Sequence, residues 1–201
     1  WYLTQPVSDT WYHLVDTVLG SYISNSLLLL LGVSAFATIL GVSAAWFTSS
    51  FEFTGRRFFE WALILPLAVP SYIAAFAYAG LLDYAGPVQQ VLRSLSITTP
   101  PGLLDIMHLQ GAVLVLAVVL YPYVYVTCCT AFLNQSSSLL EAARSLGAGS
   151  WRSFWSVALP VARPALIGGL SLVMMEVLND YGAVKYYGVP TFTTGIFRAW
   201  F

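Results

Sequence analysis

Glu176 and Asp180 stand four residues apart at the end of a long apolar run, and Tyr181, Tyr186 and Tyr187 follow closely. In a helix a four-residue step puts two side chains on one face. Ionisable groups at membrane depth are costly and mark functional sites by default. Carboxylate and phenol oxygens suit a hard cation, and a conducting path needs weak, successive contacts rather than a closed cage. Two structural uses stay open beside that one. Glu176 could pair with Lys185 or Arg198, or Asp180 could cap a loop and sit in water.

Two further sets of residues are candidates for lining such a path. Tyr121 and Tyr125, in "LYPYVYV", share one helical face too deep for an interfacial aromatic belt. Their hydroxyls need partners, from a neighbouring helix or a hydrated path. Pro66 and Pro70, in "LILPLAVPSY", each remove a backbone donor and free a carbonyl. A kinked helix is expected there, and its freed carbonyls should meet other helices or water, since lipid cannot satisfy them.

Other chemistry finds no support. Cys128 and Cys129 are adjacent in an apolar run, with no ligand spacing around them. No HExxH, serine–lysine pair or paired catalytic aspartates in neighbouring spans occur, so an enzyme is not expected. A net charge of -1 gives no nucleic-acid footprint.

The elements that hold these residues must be membrane helices. The 201 residues are 58% hydrophobic and 8% charged, with a mean hydropathy of +0.76. Soluble domains carry about 25% charged residues to keep their surfaces wetted. About 20 apolar residues cross a bilayer, which places spans at about 22–49, 61–82, 109–133 and 164–184. Arg56 and Arg57 follow the first span, and Arg144, Arg152 and Arg163 lie between the third and fourth. The positive-inside rule then sets both loops in the cytoplasm and residues 83–108 outside, with both chain ends outside. Ala37, Gly41 and Ala45 form a small-xxx-small stripe for close helix packing, as do Gly168 and Gly169 with Ala165.

The cytoplasmic loop 134–163 has a design of its own. Ser138 and Glu141 form a capping box, Leu139 to Leu146 reads as a short helix, and Gly147 suits a left-handed helix end. Ser150 is expected to cap a second helix, from Trp151 to about Ala158, that stops against Pro160. The result is a helix–turn–helix whose Trp151, Phe154 and Trp155 need a partner surface.

The spacing Glu141-Ala142-Ala143, three residues, Gly147, nine residues, Val157, one residue, Leu159-Pro160 resembles the EAA loop of ABC importer permeases. That family favours isoleucine at the position of Val157. The resemblance implies an all-α transmembrane, MetI-like helical bundle. It implies that Glu141, Ala142, Ala143, Gly147, Val157, Leu159 and Pro160 contact one subunit of a cytoplasmic ATP-binding dimer. ATP and Mg would sit on that partner, with no cofactor in this chain. Closure of the dimer would push the loop and swing the path between outward and inward access.

Residues 61–89 and 179–201 further resemble ferric-iron importer permeases, and the likeness covers most of 10–201. By it, the chain is a fragment holding about four of about six spans of a half-permease, in a bacterial plasma (inner) membrane. A periplasmic or extracellular binding protein would dock on loops 83–108 and 186–201. A second permease half, in the same chain or another, would complete the path within the lipid. Permeases for polyamines, thiamine or aminoethylphosphonate share the loop. A transporter or channel independent of ATP is the rival class, and it would lack a docking partner for the loop.

Overall fold

A computed structural model describes residues 18–95, 106–135, 145, 147 and 149–200. It is helical throughout, with no strand among the described residues. Three helices are long and apolar enough to cross a membrane: α1 (Gly20–Ser50), α5 (Leu109–Leu133) and α6 (Ser150–Asn179). Between α1 and α5 lie α2 (Arg56–Ala62), a 3-10 turn (Leu65–Ala68), α3 (Ser71–Leu82) and α4 (Pro87–Ser94). After α6 come α7 (Gly182–Tyr186) and α8 (Phe192–Trp200).

α1 is 31 residues long, about 45 Å at 1.5 Å per residue, more than a ~30 Å hydrocarbon core requires. Ser26, Leu29, Val33, Ala37, Gly41, Ala45 and Thr48 recur at three- and four-residue steps as its buried face. Leu27, Leu31, Ile39 and Phe47 are exposed on the rest of the helix, as lipid-facing residues should be. The small stripe works as expected. A Cβ on Gly41 would stand 2.9 Å from Tyr121 O and 2.7 Å from Val124 Cβ. In α6 the stripe is narrower than expected. A Cβ on Gly169 would stand 3.0 Å from Tyr123 O, whereas one on Gly168 would meet open space.

Neighbouring contacts give the helix directions. Gly32 meets Val113, Gly41 meets Val124, and Thr48 meets Tyr125 and Cys129, so position rises along both helices together. α1 and α5 are therefore parallel. α6 runs against them, since Gln135 at the end of α5 bonds Ala158 while Gly169 meets Tyr123 and Val124. If two parallel helices both span a bilayer, the chain between them must cross back.

That return is not the single kinked helix expected over 61–82. Arg56–Ala68 and Ser71–Ser94 meet at a bend of 103°. The two prolines break the helix instead of bending it, for a local reason. A residue before proline is pushed out of the helical region, and Val69 is extended at φ -102°, ψ 120°. Pro70 itself sits at ψ 139° and serves as the N-cap position of α3.

The fourth span is shifted as well. It begins at Ser150 and ends at Asn179, so it does not reach 184. The second loop helix does not stop at Pro160; it is the first part of α6. A π turn over Phe154–Ala158 joins Ser150–Ser153 to Leu159–Asn179. Proline fits where its missing N–H has no helical partner to meet, and the π turn makes such a break in the ladder. Gly149, not Ser150, occupies the N-cap position, with Ser150 as the first helical residue.

Candidate functional site

At the Arg56 end of the bundle, Trp46, Phe132 and Phe154 bring α1, α5 and α6 together, with ring centroids 5.1 to 6.5 Å apart. Gln135 Nε2 donates to Ala158 O at 2.8 Å and ties the end of α5 to the π turn. Gly147 has φ +80°, the left-handed conformation expected of it. Val157, Leu159 and Pro160 are half-buried. Glu141, Ala142 and Ala143, like Ser138 and the capping box, lie outside the described residues. Trp151 and Trp155 are exposed while Phe154 between them is buried. Trp151 stacks on Phe154 at 5.9 Å, and Trp155 meets both edge-on at 5.9 and 5.1 Å.

The opposite end of α6 carries the acidic candidates, and the structure separates them. The helix stops at Asn179, and Asp180 turns to ψ 120°, so Glu176 and Asp180 no longer share a helical face. Glu176 is exposed, and the one ion pair among the described residues joins Arg56 to Glu60 at 2.8 Å. The pairing of Glu176 with Lys185 or Arg198, one of the structural uses left open, is absent among the described residues. Asp180 is 7% exposed, a capping carboxylate buried rather than in water. Its Oδ1 accepts from the amides of Ala183 (2.9 Å) and Val184 (3.3 Å), which caps α7. Its Oδ2 accepts from Ser71 Oγ, in the first turn of α3 beyond the proline break.

Other contacts join the same two segments. A Cβ on Gly182 would stand 2.8 Å from Tyr72 Cβ, and the Tyr187 hydroxyl donates to Ala75 O at 3.3 Å. Burial pushes the Tyr187 phenol up to about 12, so it stays protonated and a donor. Beyond them α8 rests on the start of α1: Asn25 Nδ2 donates to Pro190 O (3.0 Å), and Phe192 N donates to Ser26 Oγ (3.1 Å).

A cavity of about 530 Å³ opens here between α7 and α8, lined among others by Tyr181, Lys185, Thr194, Phe197 and Arg198. Tyr181 and Phe197 stack at 4.0 Å with 23° between their planes. Lys185 Nζ stands 5.0 Å from the Tyr181 ring centre. Of the acidic and aromatic path candidates, Tyr181 alone lines this cavity. Tyr125 is buried in the α1–α5 seam, 3.4 Å from Thr48 Oγ1, so its hydroxyl has a helix partner. Tyr121 is half-buried on the same helix. Pro66 and Pro70 flank the break, half-buried and exposed. No group of three His, Cys, Asp or Glu side chains that could hold a metal ion occurs among the described residues.

Sequence reasoning missed Ser71 as the partner of Asp180. A serine just past a helix-breaking proline signals a helix start, but nothing local names a partner 109 positions away. Lys185 and Arg198 were read only as partners for Glu176. Their convergence depends on the Asp180 break, which swings α7 and α8 around one opening.

Three helices long and apolar enough to cross a membrane, with a broken segment between the first two, define a multi-pass membrane protein. The chain belongs to the family of binding-protein-dependent transport system inner membrane components, whose model matches residues 37–198. It is 30% identical over 153 residues to a probable sulfate transport system permease protein cysT of Chlorokybus atmophyticus, covering 74% of this chain and 51% of that protein. It is 30% identical over 153 residues to the sulfate transport system permease protein CysT of Escherichia coli, covering 76% and 53%. It is 27% identical over 180 residues to the Fe(3+)-transport system permease protein FbpB 2 of Haemophilus influenzae, covering 90% and 31%. The chain thus spans about half the length of these sulfate relatives and about a third of the iron relative.

Proposed function

We propose that this chain forms part of the translocation path of an ATP-driven importer and is moved by a cytoplasmic ATP-binding subunit through the loop 134–163. One observation carries the reading. α6 stays helical, through its π turn, from Ser150, just past the Gly147 turn, to Asn179, next to Asp180 and the cavity. A 30-residue helix is about 45 Å long. A push on its Trp151 end therefore reaches the Asp180–Ser71 junction along one helical element, with no non-helical residue between Ser150 and Asn179. The basic end lies in the cytoplasm, and the cavity faces the compartment from which a substrate-binding protein delivers cargo. A second permease half covers the exposed faces of the bundle that lipid does not. ATP is hydrolysed on the partner subunit.

The cargo is ferric iron. The likeness of residues 61–89 and 179–201 to iron permeases supports this, as does the 90% coverage of this chain by the iron relative. A second reading, sulfate, is favoured by the 30% identity to the CysT proteins and by two cations at the cavity that have no carboxylate partner among the described residues. Polyamine, thiamine or aminoethylphosphonate cargo has no observation in its favour beyond the shared loop.

The test is reconstitution of the complete transporter in vesicles. Glu141→Ala and Gly147→Val should insert normally and leave ATP hydrolysis running while uptake falls at least tenfold. Wild-type uptake in both variants would remove the coupling role. Radioactive ferric iron and radioactive sulfate, supplied separately, decide the cargo. A transporter that worked at full rate without any ATPase subunit would favour the ATP-independent class.

A further inference from the structure

We infer that the cavity between α7 and α8 is a binding subsite for a small, multiply charged oxyanion, held by Lys185 and Arg198. The inference rests on the importer reading for its purpose, but its chemistry stands on the cavity alone.

Two cations line one opening, and among the described residues no acid lines it with them. The nearest carboxylates along the chain are unavailable to either. Both oxygens of Asp180 are engaged by Ser71, Ala183 and Val184. Glu176 sits on the exposed surface of α6, outside the cavity lining. Like charges facing one space repel, and the arrangement persists at least cost when an anion joins them. The lining also fixes the cations. Tyr181 stacks on Phe197, and its ring face holds the Lys185 ammonium by a cation–π contact. Arg198 follows Phe197 directly on α8 and lines the same opening.

The size and openness of the site fit transit better than storage. About 530 Å³ admits an oxyanion together with several waters at roughly 30 Å³ each. Lys185 and Arg198 are both exposed, so each contact is screened and weak. A path needs such contacts, since an ion held tightly would not move on. A bare ferric cation is repelled here. The same pair accepts sulfate itself, or the carboxylates of a ferric–organic acid complex, and these two sources share one oxyanion chemistry.

The experiment is equilibrium binding of radioactive sulfate, and separately of radioactive citrate with and without ferric iron, to the full-length permease in nanodiscs in low-chloride buffer. Lys185→Gln and Arg198→Gln should each weaken binding about threefold to tenfold, and the pair together more than tenfold. Lys185→Arg should keep affinity near wild type, which separates lost charge from lost structure. Arg93→Gln, a cation engaged at Tyr84, should change nothing. Raising the salt concentration should weaken binding in the wild type and much less in the double variant. Sulfate outcompeting ferric citrate assigns the subsite to a free oxyanion, and the reverse assigns it to a complex. Absence of binding by either probe, or binding unmoved in the double variant, overturns the proposal. Binding needs no ATPase, so it is readable even where Gly147→Val fails to uncouple transport. Equally, coupling can hold where the subsite fails.

Discussion

Three donors converge on the Asp180 carboxylate, two from the first turn of α7 and one from the first turn of α3. A carboxylate can serve both groups because each oxygen accepts independently. Asparagine keeps one accepting oxygen for α7 and turns its amide N–H toward Ser71, so Asp180→Asn loses the charge and forces the Ser71 hydroxyl to change from donor to acceptor. It should cost about 1 kcal/mol in denaturant unfolding of the detergent-solubilised protein. Asp180→Ala leaves the buried donors unmet and should cost about 2 kcal/mol or more. Ser71→Ala should cost about 1 kcal/mol, and little further once Asp180 is already alanine. Strict additivity in that cycle would mean the two residues do not interact. This role was half legible in the sequence. Capping was one open use of Asp180, but spacing assumed that the helix ran past it, and the break at Asn179 follows from the capping bonds themselves.

At the scale of elements, the small residues make the clearest test, because two adjacent glycines of α6 have opposite surroundings. A Cβ on Gly169 would stand 3.0 Å from Tyr123 O and Val124 Cα, while one on Gly168 would meet open space. Gly169→Ala should therefore lower stability by about 1–3 kcal/mol through overpacking. Gly168→Ala should be neutral, or raise stability by up to about 1 kcal/mol from better helix propensity. Thermal unfolding of the two variants side by side checks this, and equal effects would refute the seam. A four-residue stripe is readable from sequence, as it was for Ala37, Gly41 and Ala45. Which of two neighbouring glycines faces a helix depends on the rotation of α6, and the π turn at Phe154–Ala158 sets that rotation. The prolines teach a related lesson. Pro66 and Pro70 signalled a disturbed helix, yet the extended Val69 between them made the disturbance a 103° turn. The periodicity of long apolar runs survives translation into structure; the joints between runs are decided by single backbone conformations.

For the whole molecule, the parallel run of α1 and α5 forces the broken segment to return across the membrane if the three long helices span it. The consequence concerns sidedness. α1 carries the chain from Gly20 to Ser50, and α5 carries it the same way from Leu109 to Leu133. Residues just past Ser50 and Leu133 must then lie on one side, and the stretch before Leu109 on the other. Under the proposed orientation, the basic residues Arg56, Arg57 and Arg152 put the first side in the cytoplasm. Gly149 and Leu95 are both exposed and fall on opposite sides in this scheme. With Cys128 and Cys129 first replaced by alanine, Gly149→Cys and Leu95→Cys can be probed singly with a membrane-impermeant maleimide. In intact bacterial cells whose outer membrane has been removed, Leu95→Cys should label strongly and Gly149→Cys less than about one tenth as well. Inverted vesicles should reverse the ratio. Labelling of both from one side would mean that Arg56–Ser94 enters and leaves the same face. α1 and α5 could then not both span the membrane as parallel helices, and the rod from Trp151 to Asp180 would lose its place in the coupling scheme.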